Sequence, residues 1–227
     1  MNIKTIYEDN DVIVIEKDAG ILVHPSTTLG ASPAEKNTLI DILKIKYPQA
    51  ELVHRLDQDT SGLMVVAKNQ QTAEFLKEQF QNREIKKKYL ALVHGVLKDK
   101  KGIIVKSISK SRKRGGSQTI SPIGKMREAT TRYEVIREFK NFSLLEVLPE
   151  TGRTHQIRVH LASIGHPIVG DEKYKFKRQE KIEGLNRQFL HAKYLKFKLP
   201  NGEIKEFESE LPEELNKILK NYDKQIG

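Results

Sequence analysis

The chain contains no cysteine and no tryptophan. Without cysteine there can be no disulfide, no thiolate nucleophile, no iron–sulfur cluster and no cysteine-ligated zinc, so a nucleophile must be oxygen or nitrogen. The absence of tryptophan argues against broad stacking platforms for single strands and against a glycosidase with saccharide-binding indoles. No stretch approaches the ~20 consecutive apolar residues of a membrane-spanning helix. The opening residues Met1 to Glu8 lack the basic-then-apolar pattern of a secretory signal, which gives the cytoplasm as the expected location. Gly-x-x-x-x-Gly-Lys and Gly-x-Gly-x-x-Gly loops are missing, as is the Gly-x-Ser-x-Gly elbow that would activate a serine. Seven histidines are present, but no two stand four apart on a helix. Nothing in their spacing selects the three converging ligands of a catalytic zinc, and no metal site is expected.

What the chain has in quantity is positive charge. Forty Lys plus Arg face thirty Asp plus Glu over 227 residues, a formal charge of +10. Such a field concentrates polyanions and makes nucleic acid the first partner to consider, against a merely solvated lysine-rich surface. The pattern predicts strands at 3–7 and 12–16, a helix from Thr38 to Tyr47 capped by Asn37 or Thr38, a buried strand at 62–68 and a short helix at 72–80. Further strands are expected at 89–93, 129–137 and 142–148. A hairpin is expected around Pro200-Asn201-Gly202, and a last helix after Pro212 carrying Leu215, Ile218 and Leu219. The class is α+β, with a mixed, mostly antiparallel sheet core and peripheral helices, expected as a single domain over 1–227. Lys106 to Gly116 holds Lys106, Lys110, Arg112, Lys113 and Arg114 without one acid. It reads as a basic loop, either a phosphate-contacting arm or a solvated insertion.

Two runs concentrate potentially chemical residues. His54-Arg55-Leu56-Asp57-Gln58-Asp59-Thr60-Ser61-Gly62 is a polar loop feeding the buried strand, where catalytic groups gather but where Asp and Ser also cap turns. Spacing alone does not choose between Asp57 and Asp59. Thr151-Gly152-Arg153-Thr154-His155-Gln156-Ile157-Arg158-Val159-His160-Leu161 passes from loop into helix. Its apolar stripe places Arg158 near the core, and a buried guanidinium needs a carboxylate partner.

At these residues the chain resembles the RluA-type pseudouridine synthases, which act on large-subunit ribosomal RNA and tRNA. The first run is similar to that family's catalytic HRLDxxTSG motif. The likeness continues at Lys87 to Gly95, Thr151 to His160, Gly165 to Asp171 and Leu190-His191-Ala192, in family order. The resemblance implies that Asp57 is the catalytic aspartate, that Tyr89 stacks on the target base and assists proton removal, and that Arg158 pairs with the aspartate. It implies that Arg55 fills the space left by the flipped base and that Leu190 walls the pocket. His54, Thr60, Arg153 and His155 belong to the matching motifs and are expected on the substrate-binding side.

Larger members carry an S4-like RNA-binding domain before the catalytic region. Here the catalytic pattern begins almost at Met1, so no separate S4 domain is expected. RNA would then be held by the catalytic body, with Arg112, Lys113 and Arg114 and the cluster Lys173, Lys175, Lys177, Arg178 and Lys181 as candidates. The implied reaction exchanges no electrons and calls for no cofactor; the implied partner is structured RNA, ribosomal or transfer, with no membrane and no obligatory protein partner. The competing expectation is a catalytically inactive, basic RNA-binding or assembly protein.

Overall fold

The computed structural model describes residues 3–24, 38–111, 117–120, 126–177 and 181–223. In chain order the elements begin β1 (Lys4–Glu8), β2 (Val12–Lys17), α1 (Leu39–Lys46), β3 (Glu51–Leu52), β4 (Ser61–Ala67), α2 (Gln70–Gln81), β5 (Lys86–His94) and β6 (Lys101–Val105). They continue β7 (Ser109–Lys110), β8 (Gln118–Thr119), β9 (Thr130–Glu138), β10 (Phe142–Pro149), α3 (Gln156–Ser163), β11 (Leu190–Lys198), β12 (Ile204–Glu208) and α4 (Glu213–Asp223). Two compact units result, Met1–Lys86 with Tyr194–Ser209, and Lys87–Lys193 with Glu210–Gly227.

In the first unit Asp9 makes the β1–β2 turn, its Oδ1 accepting from the amides of Asp11 at 2.8 Å and Val12 at 2.7 Å. β2 pairs antiparallel with β4 in the register Val14↔Val65, and β3 pairs with β4 at Leu52↔Val66. All seven residues of β4 are buried, which is why its sequence is a continuous apolar run rather than an alternation. Thr38 caps α1: its hydroxyl accepts from the Asp41 amide, while the Asp41 carboxylate accepts from the Thr38 amide at 3.1 Å. This reciprocal pair satisfies two of the helix's orphan donors. Asn69 caps α2, taking the Thr72 amide at 2.8 Å. From α2, Ala73 and Leu76 enter a core with Val12, Val14, Leu63, Val65, Leu195 and Phe197. The last two come from β11, which pairs with β12 around Gly202 at φ +90°, a left-handed position suited to glycine.

The second unit holds the sheet order β5-β10-β9-β6, antiparallel throughout, with Leu145 of β10 facing Ala91 of β5 and Val135 of β9. Val159 of α3 packs with Ile108 and Ala129. Leu215, Ile218 and Leu219 bury one face of α4, and Tyr222 sets its ring edge-on to Phe142 at 5.0 Å. The basic segment is partly paired: Ser109–Lys110 forms a two-strand ladder with Gln118–Thr119. Lys106 is also engaged, its ammonium donating to the carbonyl and hydroxyl of Ser163 at the C-terminal end of α3, both at 3.1 Å. A cation there offsets the negative end of the helix dipole, so Lys106 is withdrawn from the expected phosphate arm.

Candidate active site

The first unit presents the loop of Asp57. β3 stops pairing with β4 at Leu52 and Val66, and the imidazole of His54 carries on from there, Nε2 accepting the Val65 amide at 3.0 Å. The ring also stacks on Phe80 of α2 at 4.8 Å. Leu56 and Thr60 are buried to either side of Asp57, which is half-buried, while Arg55, Gln58 and Asp59 are exposed. The Thr60 amide closes the turn on the Asp57 carbonyl at 3.1 Å.

The loop is fastened from below by a residue the sequence gives no reason to single out. Lys17 is completely buried, and its ammonium donates to the carbonyls of Asp18 at 2.8 Å, Ile21 at 3.0 Å and Gln58 at 2.7 Å. The Gly20 amide shares the Gln58 carbonyl at 2.9 Å. Three carbonyl dipoles give the buried cation the solvation it lost with water. Asp57 and Asp59 therefore flank a residue that can move little.

The second unit carries the other expected groups. Tyr89 lies on β5, 8 % exposed, opposite Val147. Lys87, two residues before it, points to the same face. Its ammonium is about 4.0 Å from where a Gly152 methyl would sit, and burial pushes it down to about 8. The turn into α3 is tied by Gln156. Its Oε1 accepts from the Thr151 hydroxyl at 2.7 Å and the Arg153 amide at 3.0 Å, and its Nε2 donates to the Thr130 carbonyl and Thr131 hydroxyl, both at 3.0 Å. His155 enters the helix in the left-handed region at φ 54°. Arg153 is exposed and donates through Nε to the Glu128 carbonyl.

Arg158 is 5 % exposed. Within this unit its carboxylate is Asp171, where the resemblance directs attention to Asp57. Nε meets Oδ2 at 2.6 Å and Nη2 meets Oδ1 at 2.9 Å. The need for a buried partner was legible from the helix stripe, but its identity lay thirteen residues on, past a turn. His160 is structural, its ring nitrogens bonded to the Thr131 hydroxyl and the Lys106 carbonyl, both at 2.9 Å. Leu190 opens β11, 3 % exposed. Arg112, Lys113, Arg114 and Arg178 lie outside the described residues. Among the described residues no three His, Asp or Glu gather as metal ligands, and no helix is long and apolar enough to cross a membrane.

Residues 11–163 match the RNA pseudouridylate synthase family. The chain belongs to that family. The match takes in Asp57, Tyr89 and Arg158 and ends before Leu190. The chain is 40% identical over 231 residues to the uncharacterised RNA pseudouridine synthase YlyB of Bacillus subtilis, covering 99% of this chain and 74% of that protein. It is 39% identical to the ribosomal large subunit pseudouridine synthase D of Vibrio cholerae, over 92% of this chain and 68% of that one. Among solved structures, human RNA pseudouridylate synthase domain containing 4 superposes with a TM-score of 0.79 at 26% identity, covering 97% of this chain and 93% of that chain. As a pseudouridine synthase the protein is an isomerase that acts on uridine in RNA, and the mixed, mostly antiparallel α+β fold is that of its structural neighbours.

Proposed function

We propose that this pseudouridine synthase isomerises selected uridines of structured RNA, large-subunit ribosomal RNA or tRNA, with Asp57 as the central carboxylate. The observation that carries the reading is the Asp57 loop: a half-buried aspartate between buried Leu56 and Thr60, its neighbour Gln58 tied by a buried ammonium. A group held on a rigid frame is what bond-making at a fixed distance requires. The ribosomal name of the Vibrio cholerae relative and the charge of +10 both favour a ribosomal polyanion, and the same reading places the protein in the cytoplasm.

The reaction breaks the N1–C1′ bond, turns the uracil over and joins C5 to C1′. N1 gains a proton and C5 loses one, so no electrons are exchanged and no redox cofactor is called for. A carboxylate suits the change of glycosyl bonding, as nucleophile at C1′ or as base, much as carboxylates serve glycosidases. A base within a helix is out of reach, so the uridine is flipped out at a cost of a few kcal/mol. Stacking on Tyr89 offsets part of that cost, and Arg55 takes the vacated space. Arg158 supplies positive charge for the carboxylate, and Leu190 an apolar wall.

Asp57→Asn is nearly isosteric and should fold normally while abolishing isomerisation of RNA from cells lacking the gene. More than a trace of activity in the folded variant would remove Asp57 from the chemistry. Pseudouridine maps of RNA from cells with and without the gene identify the uridine. An unchanged map would favour an RNA-binding protein without catalysis.

A further inference from the structure

Asp171 has no role in the reaction as described, yet among the described residues it is the only buried carboxylate, 1 % exposed. Its two oxygens grip Arg158 through Nε and Nη2 at 2.6 and 2.9 Å. Oδ1 also accepts the amides of Lys173 at 2.9 Å and Tyr174 at 3.1 Å, so the turn and the carboxylate hold each other. That turn sets the ring of Tyr174 5.2 Å from the guanidinium carbon. The Tyr174 hydroxyl is fixed in turn, accepting the Gln118 amide at 2.7 Å and sharing a hydrogen bond with His155 Nδ1 at 2.8 Å. The guanidinium is thus gripped on one edge and covered on one face, which fixes its plane and the direction of Nη1.

Burying such a pair gains little stability over apolar residues of similar volume, because both ions give up their hydration. What a bidentate fork supplies is orientation. We propose that Asp171 and Tyr174 are positioning residues of the isomerisation, holding the Arg158 guanidinium in the pose the reaction uses. This rests on the reading of Arg158 as a catalytic group.

Asp171→Asn is the discriminating change. The amide can keep Oδ1 for the Lys173 and Tyr174 amides while setting a donor against Arg158 Nε. With the full-length protein and RNA from cells lacking the gene, single-turnover isomerisation should slow on the order of 10–100-fold, the cost of a misplaced group, with RNA affinity unchanged. In an Arg158→Gln background the same change should have no further effect, since Asp171 acts through the arginine. A wild-type rate for Asp171→Asn, or losses that multiply in the double variant, would overturn the proposal. A wild-type rate for Arg158→Gln alone would instead sink the reading of Arg158. Should Asp171→Asn fail to fold, Tyr174→Phe keeps the ring and removes the hydroxyl bonded to His155 and Gln118. A several-fold slowing that vanishes beside Arg158→Gln supports the proposal, and a slowing that persists there contradicts it.

Discussion

Lys17 shows how one side chain can decide the geometry of a loop forty residues away. Replacing it with methionine keeps the volume but takes the donor from the carbonyls of Asp18, Ile21 and Gln58. Gln58 keeps the Gly20 amide and Asp18 is exposed, so the loss falls on the carbonyl of buried Ile21, about 1–3 kcal/mol for a buried group without a partner. Lys17→Met should therefore lose about 1–3 kcal/mol in urea unfolding, and the surviving folded fraction should turn over slowly. Stability within 1 kcal/mol of wild type would mean that the carbonyls find other donors. Tyr89→Phe preserves the stacking face, so RNA affinity should persist while turnover falls; equal losses in both would make the tyrosine positional. His94 and His160 are both held below the usual imidazole value, chiefly by burial, and His94 Nε2 has no hydrogen-bond partner among the described residues. The unfolded chain then binds protons more readily than the native one. Stability is full above about pH 6.5 and drains away as pH falls through the native values. His160→Gln should shrink the drop in Tm between pH 7.5 and 5.5; an undiminished drop would put the proton uptake elsewhere.

At the scale of elements, the Thr38–Asp41 capping box is a local device with a local cost. Thr38→Ala should destabilise by about 1–2 kcal/mol in urea with the slope unchanged. A neutral result would show that packing of Leu39 and Leu43 alone holds α1. That helix, α2, β4 and the β11–β12 hairpin were legible because caps, turn residues and apolar runs lie within a few residues of one another. β6 was not legible: Lys101-Gly102-Ile103-Ile104-Val105 lacks alternation, and its pairing partner is β9, some thirty residues later. Its Gly102 makes sense only in space, where a Cβ would fall 2.5 Å from the Tyr133 hydroxyl. The site divides the same way. Motif residues stood out in sequence, Gln156 and Asp171 among them, but the bracing done by these two and by Lys17 and Tyr174 became visible only through their hydrogen bonds.

For the molecule as a whole, the charge of +10 sets how RNA is approached. Each phosphate neutralised releases a counterion, so log affinity should fall with log salt by about 0.7–0.9 per contact. Exchanging Arg112, Lys113 and Arg114 together for glutamine should flatten that slope by about two to three units, leaving the choice of uridine intact. A slope equal to wild type would mark the segment as solvated and shift attention to Lys173, Lys175, Lys177 and Lys181.

The path of the chain carries a consequence for biosynthesis. The first unit breaks off at Lys86 and resumes only at Tyr194, and the resumed stretch brings Leu195, Phe197 and Leu199 to its core. On the ribosome, β2, β4 and α2 can pack on one another but must wait for the whole of 87–193 to be translated before Leu195, Phe197 and Leu199 complete their core. At ~5–20 residues per second this is a delay of roughly 5–20 s. During it, apolar strand surface stays uncovered, so nascent chains stalled between Lys86 and Tyr194 should be the ones that recruit chaperones.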